Sequence, residues 1–279
     1  MLQSHDLLLD PSPRGSASVT TLWKRAVQAP RSVTRATRRL THTATLTANI
    51  AASLRRIEGL QARGLDADPE RLRFQQWLAG NLCTIHGIQV VMDLRPGQAA
   101  LLEQSAVLVA NHISYIDPLA ILAQLPAFSI AKKEVSQWPL LGQIAMQLGM
   151  VPYRRGDVFD GARVLRRCEA ALRRGHRVLA FPEGSTTLGF GVSRFHRGVF
   201  RLAQRCNVPV IPIAIHYHGP EAAWVGDAMF VPHYMRTTMR PVTRGRLAVL
   251  DALEPRRFPT ARALADAARC SIASALLPS

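Results

Sequence analysis

The segment VLVANHISYIDP, residues 107–118, reads as a strand that runs into a polar turn and then a helix. Val107 to Ala110 is a short apolar run closed by Asn111 and His112, as expected of a buried strand. Pro118 fits the start of a helix and disfavours helical geometry at Asp117. The turn holds two side chains that carry chemistry, His112 and Asp117. On a continuous helix that spacing would set them about 140° apart around the axis, on different faces. A local pair therefore needs a non-helical turn, and Pro118 gives a reason for one. Two readings of each residue stand at this point. Asp117 is either the N-cap of the helix or the partner that fixes a histidine base. His112 is either a polar strand end or that base. Ser114 lies beside the histidine but lacks the G-x-S-x-G elbow of a serine nucleophile.

Outward from this segment, short β-rich runs alternate with helical stretches. The predicted strands are Ile88–Met92, Val107–Ala110, Phe128–Ala131, Val151–Arg154, Val178–Phe181, Val210–Ile215 and Leu247–Leu250. Predicted helices cover about Pro118–Leu125, Trp138–Leu148, Asp160–Arg173, Phe200–Arg205 and Thr260–Leu276. Apolar strands alternating with helices predict an α/β fold whose sheet is covered on both faces. Pro209 and Pro212 imply that the Val210–Ile215 strand is an edge strand or has a shaped backbone.

The chain before this region differs in character. Residues 1–20, with Pro11, Pro13, Gly15 and several serines, read as a disordered leader. Residues 21–85 are basic and helical, with arginines from Arg25 to Arg56 and an apolar stripe of Val33, Leu40, Ile50, Leu54, Ile57 and Leu60. Pro30 is expected to interrupt the helix, and the spacing weakens around Thr43. A second helix is predicted from Pro69 to Ile85. Together they form a basic amphipathic helical segment of the kind that lies on a membrane surface, or a plain packing helix pair with a solvated face. Residues 86–279 form the α/β domain.

Composition narrows the class. The 279 residues carry 35 Lys and Arg against 19 Asp and Glu, a net charge of +16, and 48% are hydrophobic. That hydrophobic content excludes a largely disordered chain, and the charge calls for a polyanionic partner. Aromatic residues are 6% and no base-reading motif occurs, which argues against nucleic acid. Cys83, Cys168, Cys206 and Cys270 are scattered with no C-x-x-C pair, which fits a reducing compartment better than a zinc ribbon or a disulfide framework. No signal peptide and no run of about 20 apolar residues is present. His216, His218 and His233 lack nearby thiolate or carboxylate ligands, so a metal site there is not expected.

Two further constellations follow predicted strands. Glu183-Gly184-Ser185 closes the Val178–Phe181 strand, and its neighbouring N–H groups either hold an oxyanion or phosphate or form an ordinary turn. Lys132, Lys133 and Glu134, then Gly149 to Arg155, place cations after two more strands, where α/β folds bind ligands. The plain alternative is a solvated basic loop.

Taken in order, Asn111-His112-x4-Asp117, Lys132-Lys133-Glu134, Gly149 to Arg155, Phe181-Pro-Glu-Gly-Ser185 and Val208-Pro-Val-Ile-Pro212 resemble the motif blocks of the glycerophospholipid acyltransferases, and most of all the bacterial 1-acylglycerol-3-phosphate acyltransferases. The resemblance spans roughly residues 85–250. It implies a mixed, mostly parallel sheet flanked by helices, preceded by a basic N-terminal helical hairpin that docks on a membrane. It also implies transfer of an acyl group from an acyl carrier protein or coenzyme A thioester to a lysophospholipid, without metal, cofactor or acyl-enzyme. In that reading His112 is the general base and Asp117 sets its tautomer. Lys132, Lys133 and Arg155 meet the acceptor phosphate, Glu183 orients a hydroxyl or a cation, and Gly184 and Ser185 border the substrate. An anionic membrane surface is the expected partner, with the chain peripheral on the cytoplasmic face of the inner membrane. One departure stands out: Thr186 occupies the place where the family has a cation. Phe195-His-Arg197-Gly198 resembles a downstream family motif and returns a positive charge. The departure keeps another acceptor, such as a lyso-ornithine lipid, or an acyl-phosphate route open. A non-catalytic basic membrane-binding module is the alternative outside enzymology.

Overall fold

The computed structural model of the protein describes residues 19–138, 141–154, 156–226 and 229–277. The leader expected over residues 1–20 lies, up to residue 18, outside the described residues. The chain begins with three helices, α1 (Val19–Thr45), α2 (Thr47–Ala62) and α3 (Asp68–His86), which lead into β1 (Ile88–Asp93). Then come α4 (Gln98–Leu101), β2 (Val107–Ala110), α5 (Ile116–Leu122), β3 (Phe128–Lys132), α6 (Leu141–Gln147), β4 (Met150–Tyr153), α7 (Val158–Arg173) and β5 (Val178–Ala180). The last elements are α8 (Gly198–Cys206), β6 (Val210–Tyr217), α9 (Phe230–Met239), β7 (Thr243–Val249) and α10 (Ala261–Leu276).

The strands form one sheet in the order β1-β7-β6-β2-β5-β3-β4. Every pairing is parallel except β6 with β7, so the sheet is mixed and mostly parallel. β2 and β5, at its centre, are buried throughout. Successive side chains of a strand point to opposite faces, and β2 divides accordingly. Val107 and Val109 join a core with α7, α8 and α10. Leu108 and Ala110 join a second core with Ile116 and Ile121 of α5. A third core, including Leu46, Ile57, Phe74, Leu78 and Ile144, binds α2, α3 and α6 together. Gln75 fastens α3 to the sheet. Its buried amide donates to the carbonyls of Ala127 and Leu148 at 3.0 and 2.7 Å and accepts from the Ala127 N–H.

Several expectations are corrected. Pro30 does not interrupt the first helix, because α1 runs through it. A proline inside a long helix removes one backbone hydrogen bond, and the turns on either side persist. The break falls at Leu46 instead. There the hydroxyls of Thr43, Thr45 and Thr47 bond back to the carbonyls of Arg39, His42 and Ala44, a competition that bends helices. Helix α5 begins before Pro118, with Asp117 already in its first turn. Proline is harmless in a first turn, where N–H groups have no intrahelical acceptor. β6 is not an edge strand, since it lies between β7 and β2. The Pro212 carbonyl accepts from the Leu250 N–H at 2.9 Å, and only the return bond is lost, at the point where the β6–β7 ladder ends. Trp138 precedes the helix rather than starting it, after a 3-10 turn over Lys133–Gln137. Helix α9 was not predicted at all.

Candidate active site

The parallel strands β6, β2, β5, β3 and β4 all end at one edge of the sheet, and the candidate residues gather there. Register pairs Val178 with both Val107 and Phe128. His112, Glu183 and Lys133 lie the same distance past that row, on adjoining strands. Such an edge is where open α/β sheets place their ligands.

The turn after β2 is tied from every side. Asn111, fully buried, extends the ladder with its side chain. Its amide donates to the Ile215 carbonyl at 3.0 Å and accepts from the Ile215 N–H at 2.8 Å, as a backbone unit would. Residues 111–114 are not helical, and this lets His112 and Asp117 meet. His112 Nδ1 lies 2.8 Å from Asp117 Oδ2. The same oxygen accepts the N–H groups of Ile113 at 2.6 Å and Ser114 at 2.8 Å, while Oδ1 accepts the hydroxyl of Tyr217 at 2.9 Å. The aspartate thus reaches backward over the turn instead of capping the helix ahead. Three donors besides the imidazole already point at this carboxylate, so it meets Nδ1 as an acceptor, and in the neutral ring the lone pair then lies on Nε2. The imidazole stacks on Phe181 with ring centroids 4.2 Å apart. Its side chain is 21% exposed, whereas Asp117 is fully buried. Burial, and then the neighbouring Asp117, push the Tyr217 hydroxyl well above its ordinary range, so it stays a protonated donor.

Glu183 spans two loops. Oε1 accepts the His112 N–H and Oε2 the Ser193 N–H, each at 2.8 Å. Burial raises its carboxyl above the usual range, opposed by these two bonds. Both oxygens therefore hold backbone, and among the described residues no lysine or arginine forms an ion pair with either. Gly184 adopts a left-handed φ of 75°, which glycine takes without penalty. Its N–H is taken by the Phe181 carbonyl at 3.1 Å. Ser185 is exposed. The loop then returns to the turn, with the Thr187 N–H donating to the His112 carbonyl at 2.8 Å. A Cβ on Gly189 would sit 3.0 Å from Ile113, so the loop and the turn are in close contact.

Of the cations, Lys132 is exposed at the end of β3 and Lys133 is half-buried at the start of the next turn. Arg154 is exposed after β4, and its N–H binds Asp160. That bond, together with Arg163 and Lys133, holds the Asp160 carboxyl below its usual range against the effect of burial. Arg155 lies outside the described residues. Ser114 Oγ is buried without a hydrogen-bond partner, so it is not paired with the histidine as a nucleophile would be. Among the described residues no group of three His, Cys, Asp or Glu is placed to hold a metal ion.

Sequence reasoning missed Tyr217, Asn111 as a ladder residue, and Thr187. Only Tyr217 left a signal: it continues the Ile213, Ile215 face of β6 toward the same edge.

Fold and site together define an α/β protein whose candidate centre is a histidine–aspartate pair at the open edge of a mixed sheet. Comparison with known proteins then gives the family. Residues 83–216 match the family model described as Acyltransferase. A lyso-ornithine lipid O-acyltransferase of Pseudomonas aeruginosa is 33% identical over 178 residues, covering 62% of this chain and 67% of that protein. A 1-acyl-sn-glycerol-3-phosphate acyltransferase of Neisseria gonorrhoeae is 30% identical over 161 residues, covering 57% of this chain and 62% of its own length. The crystal structure of the 1-acyl-sn-glycerophosphate (LPA) acyltransferase PlsC from Thermotoga maritima superposes with a TM-score of 0.67 at 19% identity, over 89% of this chain and 96% of that one, and it shares the fold. The chain belongs to the acyltransferase family.

Proposed function

We propose that the protein transfers an acyl group from an acyl thioester to the free hydroxyl of a lysolipid, with His112 as general base. The observation that carries this reading is the His112–Asp117 pair, in which the aspartate engages Nδ1 and the partly exposed ring keeps Nε2 for a substrate. A hydroxyl is a poor nucleophile near neutral pH. Nε2 would take its proton as the oxygen attacks the thioester carbonyl, and the thiolate then leaves. The buried Asp117 charge stabilises the imidazolium formed in that step. Ser185 and Thr186 would border the acceptor, and Lys132, Lys133 and Arg155 would meet a phosphate on it. With such a headgroup the acceptor is 1-acylglycerol-3-phosphate and the product phosphatidic acid. Two observations favour a lyso-ornithine lipid as the second reading: Thr186 stands where the family has a cation, and the Pseudomonas aeruginosa relative bears that name. Purified protein assayed with both lysolipids, each with acyl carrier protein and coenzyme A thioesters, decides between them. Transfer to neither acceptor overturns both readings.

The same reading places residues 21–85 on an anionic membrane as a docking segment and residues 86–279 as the catalytic domain, peripheral on the cytoplasmic face. No helix among the described residues is long and apolar enough to cross a membrane. Helix α1 exposes Val33 and Leu40 beside Arg31 and Arg38, an apolar and basic combination that suits an interface. The N-terminal helices also supply buried contacts, so substitution tests the docking better than deletion. Val33→Asp with Leu40→Asp should release the protein from anionic vesicles. High salt, which shortens the Debye length to about 3 Å at 1 M, should release only part of the wild type.

A further inference from the structure

The basic stretch of α1 is not all directed at solvent. Arg39 is 5% exposed and grips the end of α9. Its Nη1 donates to the carbonyls of Thr238 and Arg240 at 2.9 and 2.7 Å, and its Nη2 donates to that of Pro241 at 2.9 Å. Arg35 donates to the Met239 carbonyl between them at 2.6 Å. The last carbonyls of a helix have no intrahelical donor and form the negative end of its dipole, so a cation there is favoured. Room for the grip comes from Gly87 at the entry to β1. A Cβ there would lie 2.4 Å from Arg39 Nη2 and 2.8 Å from the Pro241 carbonyl oxygen. His86, pushed down to about 4 by burial and by Arg39, stays neutral beside the guanidinium.

The other face of α9 bears on the catalytic turn. Tyr115 lies inside that turn, between His112 and Asp117. Its hydroxyl donates to Thr237 Oγ1 at 3.3 Å and faces His233 Nδ1 at 3.4 Å, while His233 Nε2 donates to the Ala223 carbonyl at 3.0 Å. The Tyr115 ring meets Phe230 and His233 edge-on, with centroids 5.1 and 5.5 Å away. A third edge-on contact joins it to Trp224, whose backbone N–H donates to the Ile113 carbonyl at 2.9 Å. A continuous path of hydrogen bonds and ring contacts therefore runs from α1 through α9 to the turn that holds the base.

We infer that Arg39 is a positioning residue for the His112–Asp117 turn, which it orients by fixing α9 and, through α9, Tyr115. Arg39 touches no reacting atom, and its effect on rate rests on the acyl-transfer reading given above. Displacement of a catalytic group by a distant change can cost up to about a hundred-fold in rate. Arg39→Met in the full chain is therefore expected to lower kcat by about ten- to a hundred-fold. KM for both thioester and lysolipid should stay within about two-fold, because neither substrate site is altered. Arg39→Lys should recover part of the loss, since one ammonium reaches some of the carbonyls without the planar fork. Tyr115→Phe should lower kcat as well, and the double variant Arg39→Met, Tyr115→Phe should be no slower than the worse single variant. A folded Arg39→Met enzyme with wild-type kcat, or double-variant losses that multiply, overturns the inference. If Arg39→Met does not fold, Arg39→Lys decides by the same kcat criterion.

A second readout does not depend on turnover. The ring Nδ1–H proton of His112, assigned by its loss in His112→Gln, should exchange faster with water in Arg39→Met than in the wild type. Unchanged exchange overturns the inference. If the wild type transfers no acyl group to any lysolipid, the functional reading fails while this measurement still tests the positioning.

Discussion

Two buried carboxylates, Asp117 in the first turn of α5 and Glu183 in the loop after β5, are wired differently. Asp117 receives one imidazole, two backbone N–H groups and one tyrosine hydroxyl. Glu183 receives two backbone N–H groups and the Ser193 side chain. One carboxylate sets the state of a titratable ring. The other fastens the turn after β2 to the loop after β5. Equal burial therefore does not mean equal duty; the donors around each group decide it.

The largest effect tests the ring that only Asp117 holds. His112→Ala should cut acyl transfer by about 10²–10⁴-fold, the usual weight of a general base, with circular dichroism unchanged. Near-normal turnover would remove the distinction between the two carboxylates. Asp117→Asn comes next. Its amide NH2 can donate to Tyr217, whose hydroxyl is able to turn and accept, while the amide oxygen keeps the N–H donors. The fold should persist, yet without the carboxylate charge the rate should fall about 10²-fold or more.

Glu183→Gln should behave the opposite way. Its NH2 must face either the His112 or the Ser193 N–H, donor against donor, and neither backbone group can reverse. A loss of about 1–3 kcal/mol in unfolding free energy is expected, read in urea, with a smaller effect on rate than Asp117→Asn. The pH dependence sharpens this. A carboxyl raised by burial contributes stability that is present below its unfolded pKa and lost as pH rises through the folded value. The wild type should therefore lose stability over that acidic window relative to Glu183→Gln. Tyr217→Phe comes last, with a stability cost of the same order. It leaves Asp117 Oδ1 without its donor, at a cost of about 1–3 kcal/mol in stability, and the rate should fall by less than in Asp117→Asn because Oδ2 still holds the histidine.

Much of this was legible in the chain itself. The central strands were visible as short apolar runs, because a strand covered on both faces carries almost no polar residue, whereas β7 was read only from Leu247 because its first half, Thr243 to Arg246, alternates buried and exposed positions and carries two arginines. The His112–Asp117 pair was visible because a turn brings near neighbours together. Helix α9 was hidden by its composition. Phe230, Val231, Thr237 and Thr238 favour strands, and Pro232 reads as a breaker, although it falls in the first turn. Packing against α1 and Tyr115 overrides those preferences. Tyr217 was hidden by distance along the chain. Arg39 was hidden among equals: Arg31, Arg35, Arg38 and Arg39 look alike in sequence, and only the tertiary structure turns Arg35 and Arg39 inward. Glu183 was found, but its two backbone partners were not, since no pattern in sequence reports what a carboxylate will meet across a sheet.

The pairing of β1 with β7 has a consequence for how the chain is made. β1 precedes nearly the whole site-bearing sheet, yet the strand it pairs with among the described residues follows it. About 150 residues separate the two strands, and at synthesis rates of about 5–20 residues per second β1 waits roughly 8–30 s for its neighbour. Through that interval the strand with which β1 pairs in the folded chain has not been made. The N-terminal helices are already made by then, and α3 leads directly into β1.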